Sequence, residues 1–266
     1  MELTAEQVAQ YERDGFLIFP DLFSAEEVAV LRSEVERVSR IDSEMVVREG
    51  DDGAVKIMFR LHEEDGETAS TAFRAAARTS RVLRAAQQCL RDDNVYMHHS
   101  KLNMKAAIEG SAWPWHQDFH SWHLDGIAEP NMTTMTVMLT EATPMNGCMY
   151  VLPGSHEVGR TNPRWDDSTA YNLWAATPGD MKEFMSQHAE PVAITGGPGT
   201  AAIFHCNLLH ASGHNLSAED RWQIFFCFNQ CKNRPTDVEN PRPEYVRSKN
   251  WAPLKVAAED GILTAS

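Results

Sequence analysis

The segment "WPWHQDFHSWHLD" carries one pattern twice, His116-Gln117-Asp118 and His123-Leu124-Asp125, each with an imidazole and a carboxylate two positions apart. Along an extended chain side chains alternate with period 2, so both members of such a pair face the same way. Converging imidazole and carboxylate groups suit a divalent metal, and a second imidazole completes a 2-His-1-carboxylate face that leaves positions open on iron(II). The first pair follows the apolar run "AWPW", where a strand would reach the mouth of a pocket, whereas the second runs into the loop-like "DGIAEP". A third ligand is available in "HCNLLHASGH": His205 falls inside the strand-like "AAIFHC", His214 in a loop, and His210 just past the strand end. The spacing therefore favours His116, Asp118 and His210, with Asp125 as the rival carboxylate.

Arg221 stands eleven positions after His210, at the head of "RWQIFFCFNQ". Alternation puts Arg221, Gln223 and Phe225 on one face of that strand and Trp222, Ile224 and Phe226 on the other. A guanidinium on the pocket face would grip a dicarboxylate through two parallel hydrogen bonds, which lysine does less well. A zinc hydrolase or a cupin-like isomerase could use the same ligands but has no need of this arginine. A binding module that had lost its chemistry would not be expected to keep all four residues.

The elements that must position these groups divide the chain in two. "TAEQVAQYERDG" and "SAEEVAVLRSEVERVSRI" place apolar residues at helical spacing behind a Thr or Ser cap, and "TAFRAAARTSRVLRAAQQCL" predicts a third helix. "FLIFPDLF" between the first two reads as a short strand and turn. From about residue 94 the texture changes to short β-type runs, including "VYMHHSKLNMK", "NMTTMTVMLTE", "EPVAIT" and "TAAIFHC". Asn146-Gly147 predicts a hairpin, and residues 157–190 read as loop. The expected fold is α+β, a double-stranded β-helix (a jelly-roll, cupin-like barrel) with a supporting layer of N-terminal helices. We expect a single domain over 1–266, with 1–93 mainly helical support, 94–232 the jelly-roll core and 233–266 a C-terminal extension.

The formal charge of -14 and the lack of a basic stripe argue against nucleic acid as a partner. The N-terminus has neither a basic nor an apolar signal region, and no run is apolar enough to span a membrane, so a cytoplasmic location is expected. Five scattered cysteines suggest reduced thiols rather than a disulfide framework. The expected partner is a small-molecule substrate, and a homodimer is the one assembly considered.

"HQD" after an aromatic strand, "NGCMYVLPGSH", His210 followed by Arg221, and the opening "YERDGFLIFPDLFSAEEVAVLRSEVE" together resemble the phytanoyl-CoA dioxygenase family of iron(II)/2-oxoglutarate-dependent oxygenases, over roughly residues 5 to 232. Within the family the likeness is closest to ectoine hydroxylase-like members, through "HSKLNMK" and "WHQDFHSWHLDG". Gln117 and His120 stand where those members have Ser and Glu, and one acidic residue before Asp125 is missing.

The resemblance implies that His116, Asp118 and His210 bind Fe(II), with 2-oxoglutarate and O2 as co-substrates and succinate and CO2 released. It implies that Arg221 holds the distal carboxylate of 2-oxoglutarate, with Thr134 as a second contact and Lys105, Asn103 and His99 as further co-substrate candidates; relatives usually have Gln at the position of His99. Trp122, Phe119 and Trp113 are candidates for the substrate wall, and Arg60 and His62 for a substrate carboxylate. The implied reaction is hydroxylation of an unactivated C–H bond in a small polar, amino-acid-like or natural-product substrate. Desaturation, cyclisation and epimerisation begin with the same hydrogen abstraction and stay open. Halogenation is disfavoured, because related halogenases lack the carboxylate that Asp118 supplies.

Overall fold

A computed structural model describes residues 2–49, 53–187 and 190–265. Helix α1 (Ala5–Asp14) starts at a capping box in which Thr4 and Gln7 satisfy each other's backbone amides. Strand β1 (Phe16–Phe19) follows, then helix α2 (Ala25–Val38) with a second capping box between Ser24 and Glu27. The predicted third helix is two helices, α3 (Thr71–Ala76) and α4 (Ser80–Leu90), because Thr79 leaves helical geometry between them, its hydroxyl donating back to the Ala76 carbonyl. Strands β2 (Val46–Arg48) and β3 (Val55–Phe59) also fall in this first third, which therefore supplies sheet as well as helix.

The remaining elements are β4 (Val95–Lys105), β5 (Trp113–His116), α5 (Asp118–Leu124), β6 (Met132–Met138), β7 (Met149–Val151), β8 (Arg164–Asp166), β9 (Leu173–Ala175), α6 (Pro178–Gln187), β10 (Val192–Ile194), β11 (Ala201–His205), β12 (His210–Ser212) and β13 (Arg221–Gln230). Seven strands form one sheet in the order β1-β11-β6-β13-β4-β3-β2, and four form a second in the order β10-β7-β12-β5. The ladders are antiparallel, giving the two-sheet jelly roll. The stretch expected to be loop holds the β8–β9 hairpin and α6.

Alternation along β13 does what the sequence suggests. Ile224, Phe226 and Phe228 pack outward against Leu31 and Val35 of α2, Phe73 of α3 and Leu83 of α4. Each such fully buried side chain contributes about 1.5–3 kcal/mol relative to exposure. Phe225 faces inward with Met149 and Val151 of the small sheet and Phe204 of β11.

Asn146-Gly147 is a turn but not a hairpin. Asn146 caps it by accepting from the Thr143 amide and donating to the Glu141 carbonyl, and Gly147 takes φ of +76°. The flanking strands β6 and β7 nevertheless belong to different sheets, so the turn belongs to a crossover between sheets. The C-terminal extension is docked along the barrel: the Leu254 amide donates to the Val95 carbonyl, the Ser248 amide to the His98 carbonyl, and Val246 is buried beside Ile57 and Trp113. No helix among the described residues is long and apolar enough to cross a membrane.

Candidate active site

His116 and His210 face each other directly across the β5–β12 ladder, with ring centroids 4.1 Å apart. His116 ends β5, Gln117 is the transition residue, and Asp118 is the first residue of α5. The expected extended geometry of the His-x-Asp pair is thus replaced by a strand-to-helix junction, which still turns both side chains to one point. His210, expected just beyond a strand, opens the separate strand β12. One ligand atom from each of His116, Asp118 and His210 lies within 4.8 Å of the others, and all three residues are buried. The carboxylate oxygens of Asp118 are each 3.9 Å from an imidazole Nε2.

The orientation of these groups suits a metal. His116 Nδ1 donates to the Pro114 carbonyl at 2.7 Å, and His210 Nδ1 donates to the Leu208 carbonyl at 2.9 Å. A proton held on Nδ1 leaves the Nε2 lone pairs aimed at the shared point. Burial pushes His116 down to about 3, helped by His210, and lowers His210 as well, so both present lone pairs at neutral pH. Burial by itself would raise Asp118, but its charged surroundings, led by the Lys101 ammonium, outweigh it and hold the carboxyl below its usual range. Asp118 Oδ2 is buried without a hydrogen-bond partner, as a coordinating oxygen would be before its ion.

From these ligands a narrow cavity runs to Arg221, lined by Lys101, Asn103, Trp113, Ser212, Gln223 and Phe225 among others. Arg221 is only 2% exposed, and its Nη1 donates to Gln223 Oε1. Arg221 Nε, Gln223 Nε2 and Asn103 Oδ1 are buried without partners. A buried guanidinium with an unused N–H is costly unless an anion meets it. A chain of ligand atoms from a metal to a distal carboxylate, such as 2-oxoglutarate presents, fits this cavity.

Of the other expected site residues, Asn103 and Trp113 line the cavity, and Lys105 lies beside it, directly opposite Arg221 in the β4–β13 ladder. Thr134, expected as a second contact for the co-substrate carboxylate, does not stand beside Arg221. It pairs with Cys227, six residues along β13 from Arg221 or about 20 Å at ~3.3 Å per residue, and its hydroxyl donates to Cys227 Sγ. His99 is also placed away from Arg221: it pairs with Cys227, its Nδ1 donates to the Val246 carbonyl, and its ring meets Trp122 at 5.7 Å. Phe119 and Trp122 lie outside the cavity lining, in an apolar cluster with Ile127, Met132, Cys206 and Cys227.

Arg60 and His62 do not reach over the mouth. His62 hydrogen-bonds Ser100 on the helix-facing side of β4, and Arg60 reaches Glu63 at 3.5 Å. Of the rival ligands, His205 accepts from the Asn207 amide and His214 is exposed. Asp125 is fully buried in a pair with Arg242 at 2.6 Å.

Lys101 escaped the sequence reading. Its Nζ lies 3.3 Å from Asp118 Oδ1 and 5.5 Å from the Phe225 ring, and Asp118 raises its pKa against the effect of burial. Alternation from Lys105 through Asn103 puts it on the pocket face, and that signal was available.

The family model described as phytanoyl-CoA dioxygenase matches residues 11–222. An ectoine dioxygenase of Sphingopyxis alaskensis is 34% identical over 98% of this chain and 88% of its own length. An L-proline trans-4-hydroxylase of Streptomyces griseoviridis is 31% identical, covering 92% of each chain. The crystal structure of EctD from S. alaskensis with 2-oxoglutarate and 5-hydroxyectoine superposes with a TM-score of 0.82 at 32% identity, covering 96% of this chain and 87% of that one. The chain thus belongs to the phytanoyl-CoA dioxygenase family, as an iron(II)/2-oxoglutarate-dependent dioxygenase.

Proposed function

We propose that this enzyme hydroxylates an unactivated C–H bond of a small, polar, amino-acid-like molecule. The observation that carries the reading is the joint presence of the buried His116–Asp118–His210 face and Arg221 along one cavity. Support for the substrate class comes from relatives named for ectoine and L-proline. Iron(II) with 2-oxoglutarate, when bound, supplies the oxidising power, with succinate and CO2 as co-products.

The residues of this chain provide position and exclusion. Nδ1 donation from His116 and His210 to backbone carbonyls fixes two ligand rings, and Lys101 steadies the Asp118 carboxylate between them. Arg221, with the free amide of Gln223, receives the distal carboxylate and so sets which end of the keto acid reaches the metal. Tyr171 lies over Trp113 with centroids 5.5 Å apart, and Phe59 meets both Tyr171 and Tyr245, closing an aromatic wall beside the cavity. Such a wall keeps water from the reacting centre and leaves room for a small substrate.

The test is succinate release under air from iron-loaded protein and 2-oxoglutarate, with ectoine, L-proline and other amino acids offered in turn. Stimulation by one of these above the uncoupled background, with a hydroxylated product by mass spectrometry, is expected. No stimulation across the set, or a product lacking the added oxygen, overturns the reading. Arg221→Ala should weaken 2-oxoglutarate binding about 100-fold, because a buried charge pair loses one partner; unchanged affinity by calorimetry would place the co-substrate elsewhere.

A further inference from the structure

Below the cavity, three basic side chains are buried together: Lys56 and Lys105 are each 1% exposed and Arg221 is 2% exposed. Among the described residues one carboxylate meets them. Glu49 accepts from Lys56 at 3.1 Å and from the Ser111 hydroxyl at 2.6 Å. Among the described residues Lys105 has no carboxylate of its own. Its Nζ donates to two backbone carbonyls, Ser111 at 2.8 Å and Gly213, and it stands opposite Arg221 in the ladder. Gly147 lets this corner close, since a Cβ there would lie 2.5 Å from the Gly213 oxygen and 3.0 Å from Lys105 Cδ.

Two carbonyl acceptors match the two N–H groups of a neutral amine, and a third N–H appears only on protonation. Burial, then Arg221 and then Lys56, push Lys105 down to about 6, with Glu49 and the Cys148 thiol acting the other way. Among the described residues those groups, from β13, β3, the turn after β2 and the turn before β7, are the charged or titratable ones that face it.

We infer that Lys105 is a neutral amine in the resting enzyme and takes one proton from solvent when the distal carboxylate of 2-oxoglutarate docks on Arg221. The added anion cancels the repulsion from Arg221, and the new N–H is the one free to meet it. This rests on the proposed 2-oxoglutarate reading of the cavity and adds proton uptake to it. The sign is fixed by linkage: above pH 6 free Lys105 lacks the proton that the complex holds, so affinity falls as pH rises, towards tenfold per unit.

The experiment is calorimetric titration of nickel(II)-loaded protein, which does not turn over, with 2-oxoglutarate in phosphate and in Tris. The expected result at pH 7.5 is an observed enthalpy that shifts with the buffer's protonation enthalpy by close to one proton taken up. At pH 5.5 the uptake shrinks, and between pH 6.5 and 8 the Kd weakens towards tenfold per unit. Equal heats in both buffers with intact binding overturn this inference alone; no binding of 2-oxoglutarate overturns the proposed function with it. Lys105→Met and the permanently charged Lys105→Arg should both abolish the buffer dependence, and its persistence in either removes Lys105 as the acceptor.

Discussion

The pairs His116-Gln117-Asp118 and His123-Leu124-Asp125 have the same spacing and lie seven residues apart, yet only one converges on a point. The first straddles the junction of β5 and α5, where the chain changes direction and turns both side chains inward. The second straddles the C-terminal end of that helix, where residues two apart are about 200° apart around the axis and diverge. His123 Nδ1 donates to the Ile127 carbonyl at 3.0 Å, and Asp125 is taken by Arg242 through the guanidinium and the backbone amide. A ligand motif therefore acquires its meaning from the backbone beneath it, and its twin became the anchor for the C-terminal extension.

The largest separation between the pairs should come from Asp118→Ala. It removes the only acidic ligand of the triad, and 2-oxoglutarate-dependent succinate formation should fall to background while the far-ultraviolet circular dichroism stays unchanged. Turnover that persists would break the comparison.

Asp125→Ala should do the reverse. Leaving Arg242 without its buried partner costs about 3 kcal/mol of stability, seen as a lowered urea midpoint, while cobalt(II) binding followed by its visible absorption survives. Loss of the metal signal in a folded Asp125→Ala protein would mean that the pairs are not separate.

Acid should sharpen the contrast by a smaller amount. Burial holds His62, His98 and His116 down to about 3, whereas an unfolded histidine titrates near 6.5. Between these values the unfolded chain binds protons that the folded chain refuses, so stability of the metal-free protein falls as pH drops from 6.5 towards 3. Each such group contributes up to about 1.4 kcal/mol per pH unit, and His116→Asn should remove one share, measured as a shallower slope of unfolding free energy against pH.

The smallest effect is expected from His123→Ala. It loses one partly buried hydrogen bond, about 1 kcal/mol, and metal affinity by calorimetry should stay within a few-fold of the parent. A larger loss of affinity would tie the second pair to the site.

Much of this arrangement was legible in the letters. The capping signals placed α1 and α2, and period-2 alternation along "RWQIFFCFNQ" put Arg221 on the pocket face. The same alternation could have shown Lys101 beside Asn103. Thr134 was misplaced because β-ladder register is not local: which residue of β6 stands beside Arg221 depends on how two strands about ninety residues apart slide against each other. Asn146-Gly147 shows the same limit, since a turn sequence specifies the bend and not the sheet that receives the next strand.

By itself the sequence determined which residue types could make a site: two imidazoles, a carboxylate and a guanidinium, carried on strands whose alternation is fixed by covalent geometry. Only the tertiary structure decided between Asp118 and Asp125 and among His205, His210 and His214. The reason is that each choice depends on a distant partner. His210 faces His116 because β12 pairs with β5, and Asp125 is withdrawn from competition by an arginine 117 residues further along the chain.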